Sequence, residues 1–148
     1  MQDSPFSTKK ALTILSALVF CSAPQCVFAQ SFNYISPVEL KQRLESASIP
    51  FLLDIQVEKD YAQHHLRGTV ATYAYPAKSE DERAKLRPAI QKILATNQEV
   101  VIICPAGGQG AKNAYTYLKE QGVPENRMRI LEKGQRGWPY PEMLTATQ

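Results

Sequence analysis

Cysteine is scarce in this sequence. Of three cysteines in 148 residues, Cys21 and Cys26 lie in the first 29 positions and Cys104 stands alone in the rest. If those 29 residues are removed, no internal disulfide can form, which excludes a disulfide-stapled scaffold. Histidine is equally sparse. His64 and His65 are adjacent, and neighbours on a chain point apart, so a zinc site is not expected and His65 reads as a packed histidine. Long apolar runs are missing too. Residues 11–20 (ALTILSALVF) form one apolar stretch, and ten residues are too few to span a bilayer. No charge of either sign dominates, with 17 basic and 14 acidic residues and a net +3. That balance argues against nucleic acid as a partner. Internal repeats and low-complexity segments are also lacking.

What is present at the start reads as an export signal. Lys9 and Lys10 precede the apolar stretch, and Val27 and Ala29 place short side chains before a cut at Gln30. Residues 1–29 are therefore expected to be a cleaved signal peptide. Residues 30–148 then form a single exported domain with no stable membrane anchor, in a bacterial periplasm. Phe20 before Cys21 and Gln25 before Cys26 lack the small side chain that lipid attachment needs. Cleavage lowers the charge counts from 17 and 14 to 15 and 13, through loss of Lys9, Lys10 and Asp3, and leaves a net +2.

The remaining chain is organised around Glu99-Val-Val-Ile-Ile-Cys104-Pro-Ala-Gly-Gly-Gln-Gly110-Ala111. Four β-branched apolar residues predict a strand buried on both faces. Cys104 falls at its end. Gly107, Gly108 and Gly110 then let the backbone turn and gather its N–H groups. A helix is expected from Gly110 to Gln121, stopped by Gly122. Its positive end faces the loop, so peptide N–H groups and the helix terminus favour a thiolate at Cys104.

Around this stretch, helical and strand patterns alternate. Ser36-Pro37-Val38-Glu39 is a helix start with an N-cap, a proline in the first turn and a capping glutamate. Val38, Leu40 and Leu44 supply its apolar side. Residues 51–55 read as a buried strand with Asp54 near its end, and residues 57–61 as a short helix. Residues 69–75 read as a further strand ended by Pro76. Ser79 and Glu82 form a second capping box, with a helix onward through Leu94 broken or kinked at Pro88. Residues 128–131 are a last strand, and Trp138 is a core anchor. Alternation of this kind predicts an α/β fold with a mainly parallel central sheet and helices on both faces. Sites in such sheets form at the carboxyl ends of strands, where Cys104 lies.

Taken together, these residues resemble the rhodanese family. Asp54-Ile55 resembles its Asp-Val-Arg strand end; Asp60-Tyr61, His65-Leu66 and Gly68 resemble the signals that follow. Residues 100–109 resemble its active-site strand and Cys-x-x-Gly-x-Arg loop. Lys133-Gly134 with Trp138 resembles the closing Gly-Gly-x-x-x-Trp. The resemblance runs from near Tyr34 to near Tyr140 and implies a sulfurtransferase without a cofactor. Cys104 would take sulfur from a small anion such as thiosulfate as a persulfide. A thiol or cyanide would then receive it. Backbone N–H groups of Ala106, Gly107, Gly108, Gln109 and Gly110 would bind the substrate and persulfide. Gln109 stands where the family has arginine, Gln56 where it has the first arginine, and Lys133 where it has the first closing glycine. Lys112, Arg67 and Arg136 are candidates to replace the missing charge. Two alternatives share this fold: a persulfide carrier working with a sulfur-relay protein, and a rhodanese-like binding module. A cysteine phosphatase wants arginine six positions after the cysteine, where this chain has Gly110.

Overall fold

The computed structural model of the chain describes residues 31–147, so the expected signal peptide lies outside the described residues. Five strands form one parallel sheet in the order β1-β6-β5-β2-β4. They are β1 (Tyr34–Ile35), β2 (Phe51–Asp54), β4 (Val70–Ala71), β5 (Val100–Ile103) and β6 (Met128–Leu131). Strand β5 is central, with Asp54 of β2 level with Ile103 and Ile102 level with Ile130 of β6. All four residues of β5 are buried, as an unbroken β-branched run requires.

The pleat sends alternate residues to opposite faces. Leu53, Val100, Ile102 and Ile130 pack against Ile90 and Ile93 of α4 (Arg87–Leu94) and Ala114 and Leu118 of α5 (Gln109–Glu120). Leu52, Val101, Ile103 and Leu131 pack on the other face against Leu40 of α1 (Pro37–Leu44) and Trp138. Helices thus cover both faces, and Trp138 is the anchor expected of it. Its indole N–H donates to the Tyr140 carbonyl at 2.9 Å. A small antiparallel pair, β3 (His65–Leu66) with β7 (Leu144–Thr145), completes that side, next to α2 (Glu58–Gln63).

Local signals act as their chemistry dictates. Ser36 caps α1 through the Glu39 N–H, and Ser79 and Glu82 close a full capping box on α3 (Glu80–Ala84). Gly122 follows α5 with φ +94°. Three expectations need correction. The helix after Ser79 breaks at Lys85–Leu86, upstream of Pro88, because a proline in the first turn of a new helix loses no hydrogen bond. The strand expected over residues 69–75 pairs only at Val70 and Ala71, since Tyr73 takes φ +55° and leaves the extended conformation. Val38 is 55 % exposed, leaving Leu40 to carry the burial of α1. His65 is packed: its ring stacks on Tyr61 at 3.7 Å and its Nδ1 lies 2.8 Å from the Tyr61 carbonyl.

Candidate active site

Cys104 follows the last residue of β5 and is 1 % exposed. Its position comes from the strand, its surroundings from the loop. The Gly107 N–H donates to Cys104 Sγ at 3.1 Å, closing a tight turn around the sulfur. Of the five loop residues expected to serve the sulfur, Gly107 makes this bond. Ala106 and Gly108 complete the turn, and Gln109 and Gly110 belong to the first turn of α5. The helix terminus therefore opens directly from the sulfur loop, where its partial positive charge favours an anion.

A second turn clamps this loop. The residues after β6 run back beneath it, so the Gln135 N–H donates to the Cys104 carbonyl at 2.8 Å and the Arg136 N–H to the Pro105 carbonyl at 3.0 Å. Gly134 immediately precedes them, with φ +56° and ψ −157°. Lys133, in place of a glycine, also takes φ +58°.

The charges are arranged differently from expectation. The Gln109 amide donates to Asn113 Oδ1 at 2.9 Å, along its own helix. The Lys112 ammonium stands 5.5 Å over the Phe32 ring. Arg67 donates to the Glu142 carbonyl, and Arg136 faces Asp60 at 4.0 Å. Each of the four thus has another partner, and the sulfur loop is held by peptide dipoles.

Beside it, at the end of β2, Asp54 is fully buried. It accepts the Gln56 backbone N–H at 2.8 Å and the Gln56 side-chain amide at 3.0 Å. Burial pushes the Asp54 carboxyl up to about 6, against the pull of those two bonds and of His65. A neutral glutamine supplies hydrogen bonds without a countercharge, so desolvation wins. The raised value means that the folded protein holds the extra proton between pH ~4 and ~6. Stability should therefore fall as pH rises through that window, by on the order of 3 kcal/mol. Asp54→Asn keeps both contacts if the Gln56 amide turns over. Urea unfolding at pH 4.5 and 7.5 should show a smaller fall for this variant than for the parent, with the variant more stable at pH 7.5.

Two neighbours gave no signal in the sequence. The Tyr75 ring covers Gly110 so closely that a Cβ there would lie 2.5 Å from Cε2. Gln135 is buried beneath the loop. Both contacts join residues about 30 positions apart or more, and no local pattern records them.

Comparison with known proteins extends the geometry. Among solved structures, a rhodanese-like domain protein from Staphylococcus aureus superposes with a TM-score of 0.59 at 18% identity, covering 79% of this chain and 100% of that one. A yeast protein tyrosine phosphatase of the rhodanese family gives 0.61 at 18%, covering 81% and 96%. A thiosulfate sulfurtransferase from Pseudomonas aeruginosa gives 0.59 at 18%, covering 79% of this chain and 20% of that longer one. At these identities the likeness is one of fold. Comparison with curated protein sequences gives no match. The family model for the rhodanese-like domain matches residues 36–139, from the cap of α1 to just past Trp138. With that match, and a cysteine loop at the end of the central parallel strand, the chain belongs to the rhodanese-like domain family.

Proposed function

We propose that this protein is a sulfurtransferase that carries sulfane sulfur on Cys104. The observation that carries the reading is the Gly107 N–H aimed at Cys104 Sγ in a loop that opens α5. In the first step the Cys104 thiolate attacks the outer sulfur of thiosulfate. The S–S bond of the donor breaks, sulfite leaves with the electron pair, and Cys104 becomes a persulfide anion. In the second step an acceptor thiolate or cyanide attacks the terminal sulfur, and Cys104 returns as thiolate. The loop N–H groups and the helix terminus offset the charge on the persulfide.

Phosphatase chemistry is disfavoured by one contact. Its arginine would stand at Gly110, which has no side chain to fork onto a phosphate and lies under the Tyr75 ring. The persulfide-relay reading has a specific observation in its favour: Gln109, Lys112 and Arg67 are engaged elsewhere, and Arg136 faces Asp60 only at 4.0 Å. A thiosulfate dianion must be desolvated onto this loop without a fixed cation beside it, at higher cost than a singly charged persulfide.

Intact mass tests the reading. Thiosulfate should add ~32 Da, one sulfur, to the protein, and cyanide should remove it as thiocyanate. Addition from a persulfide donor protein but not from thiosulfate would favour the relay. Addition from neither would leave the fold to a binding role. Gln109→Arg should raise kcat/KM for thiosulfate about 10-fold by supplying a charge-assisted bond. Unchanged kinetics would speak for the relay.

A further inference from the structure

The turn at Gly134 closes the sulfur loop from beneath. A second segment, Tyr73 to Ala77 after β4, runs along another side of it. Ala74 and Ala77 share one buried cluster with Cys104 and Ala111. Tyr75, between those two alanines, is 38 % exposed. Its ring nevertheless lies hard against Gly110 in the first turn of α5, where a Cβ would meet Cε2 at 2.5 Å and Cδ2 at 2.7 Å. A ring placed for packing alone would be buried more fully. Cys104 itself is 1 % exposed. A reagent therefore reaches the sulfur past the rim of the loop, and the rim is where this ring stands.

The ring is held there at a cost. Tyr73 and Ala77 take φ +55° and +58°, a left-handed conformation that strains a residue with a Cβ and that gathers at functional sites. The Tyr75 N–H donates to the Ile55 carbonyl at 2.7 Å, just past the end of β2. From the other side, the Asn113 amide donates to the Pro76 carbonyl at 3.0 Å and accepts from the Gln109 amide at 2.9 Å. Gln109, standing where the rhodanese family has arginine, thus reaches the Tyr75 segment through one side chain. Turned along α5, it brings no charge to the rim. What the rim can still offer is shape, and a rigid ring selects by clash with the wrong partner.

We propose that Tyr75 is the specificity-determining residue of the sulfur site. Its ring narrows the approach to Cys104, admitting a sulfur that is terminal or bears a small group and turning away one that carries a broad group. Asn113 is a positioning residue that holds the segment. The identity of the natural sulfur compounds rests on the sulfurtransferase reading; the width of the approach does not.

Methyl and benzyl methanethiosulfonate test the proposal on the full chain. In each, the Cys104 thiolate attacks the sulfur bearing the organic group, the S–S bond breaks, methanesulfinate leaves with the electron pair, and a mixed disulfide forms. Rates are followed by intact mass, with Cys104→Ser as the background, and are divided by those of glutathione to remove intrinsic reactivity. The parent should favour the methyl reagent at least ~10-fold. Tyr75→Ala should bring that preference down to about that of glutathione, and Tyr75→Phe should keep it, because the ring and not the hydroxyl sets the width. Asn113→Ala should lower the preference ~3-fold by freeing the segment. General loosening of the fold would speed both reagents, so the ratio isolates the wall. If Tyr75→Ala melts lower than the parent, Tyr75→Leu, which keeps an apolar contact on Gly110 without the reach of the ring, takes its place. No preference in the parent, or an unchanged preference in Tyr75→Ala and Tyr75→Leu, would overturn the proposal. Neither reagent transfers a sulfane sulfur, so this result and the uptake of sulfur from thiosulfate succeed or fail separately.

Discussion

Cys104→Ser should abolish sulfur uptake while leaving the protein folded. The two side chains differ by one atom, and serine can accept the same Gly107 N–H that Sγ accepts at 3.1 Å. The position is buried against the apolar cluster that includes Ala74, Ala77 and Ala111, so the polar hydroxyl should cost only ~1 kcal/mol. Reactivity is a different matter. Among the described residues no histidine or carboxylate hydrogen-bonds to this side chain to take a hydroxyl's proton, and an alkoxide is far harder to form than a thiolate. Intact mass after thiosulfate should show no added sulfur, and circular dichroism should overlay that of the parent. A sulfur adduct on Cys104→Ser would place the chemistry on another residue and end the proposed mechanism.

Gly134→Ala should be the most disruptive alanine substitution among the described glycines. A Cβ at Gly134 would lie 2.1 Å from the Cys104 carbonyl oxygen, 2.6 Å from the Gly107 nitrogen and 2.7 Å from the Ala106 nitrogen. All three are backbone atoms, so no flexible side chain can move aside. The conformation adds its own cost, since φ +56° with ψ −157° is a region that glycine alone occupies readily. Backbone strain and overpacking together come to on the order of 3–5 kcal/mol. The alternative is that the turn moves away and releases the Cys104 and Pro105 carbonyls, which would loosen the sulfur loop. Urea unfolding should show the loss of stability, and the rate of sulfur uptake should fall at least ~10-fold in the fraction that remains folded. Gly108→Ala is the control. Among the described residues nothing lies within 4 Å of a Cβ at Gly108, and its φ is −99° with ψ −141°, outside the usual β and α regions. Its stability should fall by about 1–3 kcal/mol from backbone strain alone, with no overpacking to add. Equal behaviour of the two variants would mean that the clamp does not hold the loop.

The two variants divide the site between what was legible in the sequence and what was not. Residues 100–103 announce a buried strand by composition alone, and a cysteine followed by a glycine-rich stretch and a helix announces the loop. The caps at Ser36 and Ser79, the stop at Gly122 and the strand over residues 128–131 are legible for the same reason. Each depends on residues no more than a few positions apart. The break at Lys85–Leu86 was misplaced because proline marks a nearby helix boundary without saying on which side it falls.

The sequence by itself therefore determined the alternation of helices with β2, β4, β5 and β6, the strand-end cysteine and the family resemblance carried by spaced motifs; β1, β3 and β7, two residues each, left no pattern in it. Only the tertiary structure decided which groups meet the sulfur loop. Gly134 reaches under Cys104 across 30 residues of chain, and Tyr75 closes over Gly110 across 35. Gln109 turns to Asn113, where an arginine was missed. Asp54 becomes a buried carboxyl with a neutral partner, and Gln135 a buried amide with none among the described residues. The physical reason is common to all but Gln109, whose bond to Asn113 lies within one helix. Secondary structure follows from periodicity along the chain, whereas desolvation, close approach and hydrogen-bond satisfaction depend on which segments the packed sheet brings side by side.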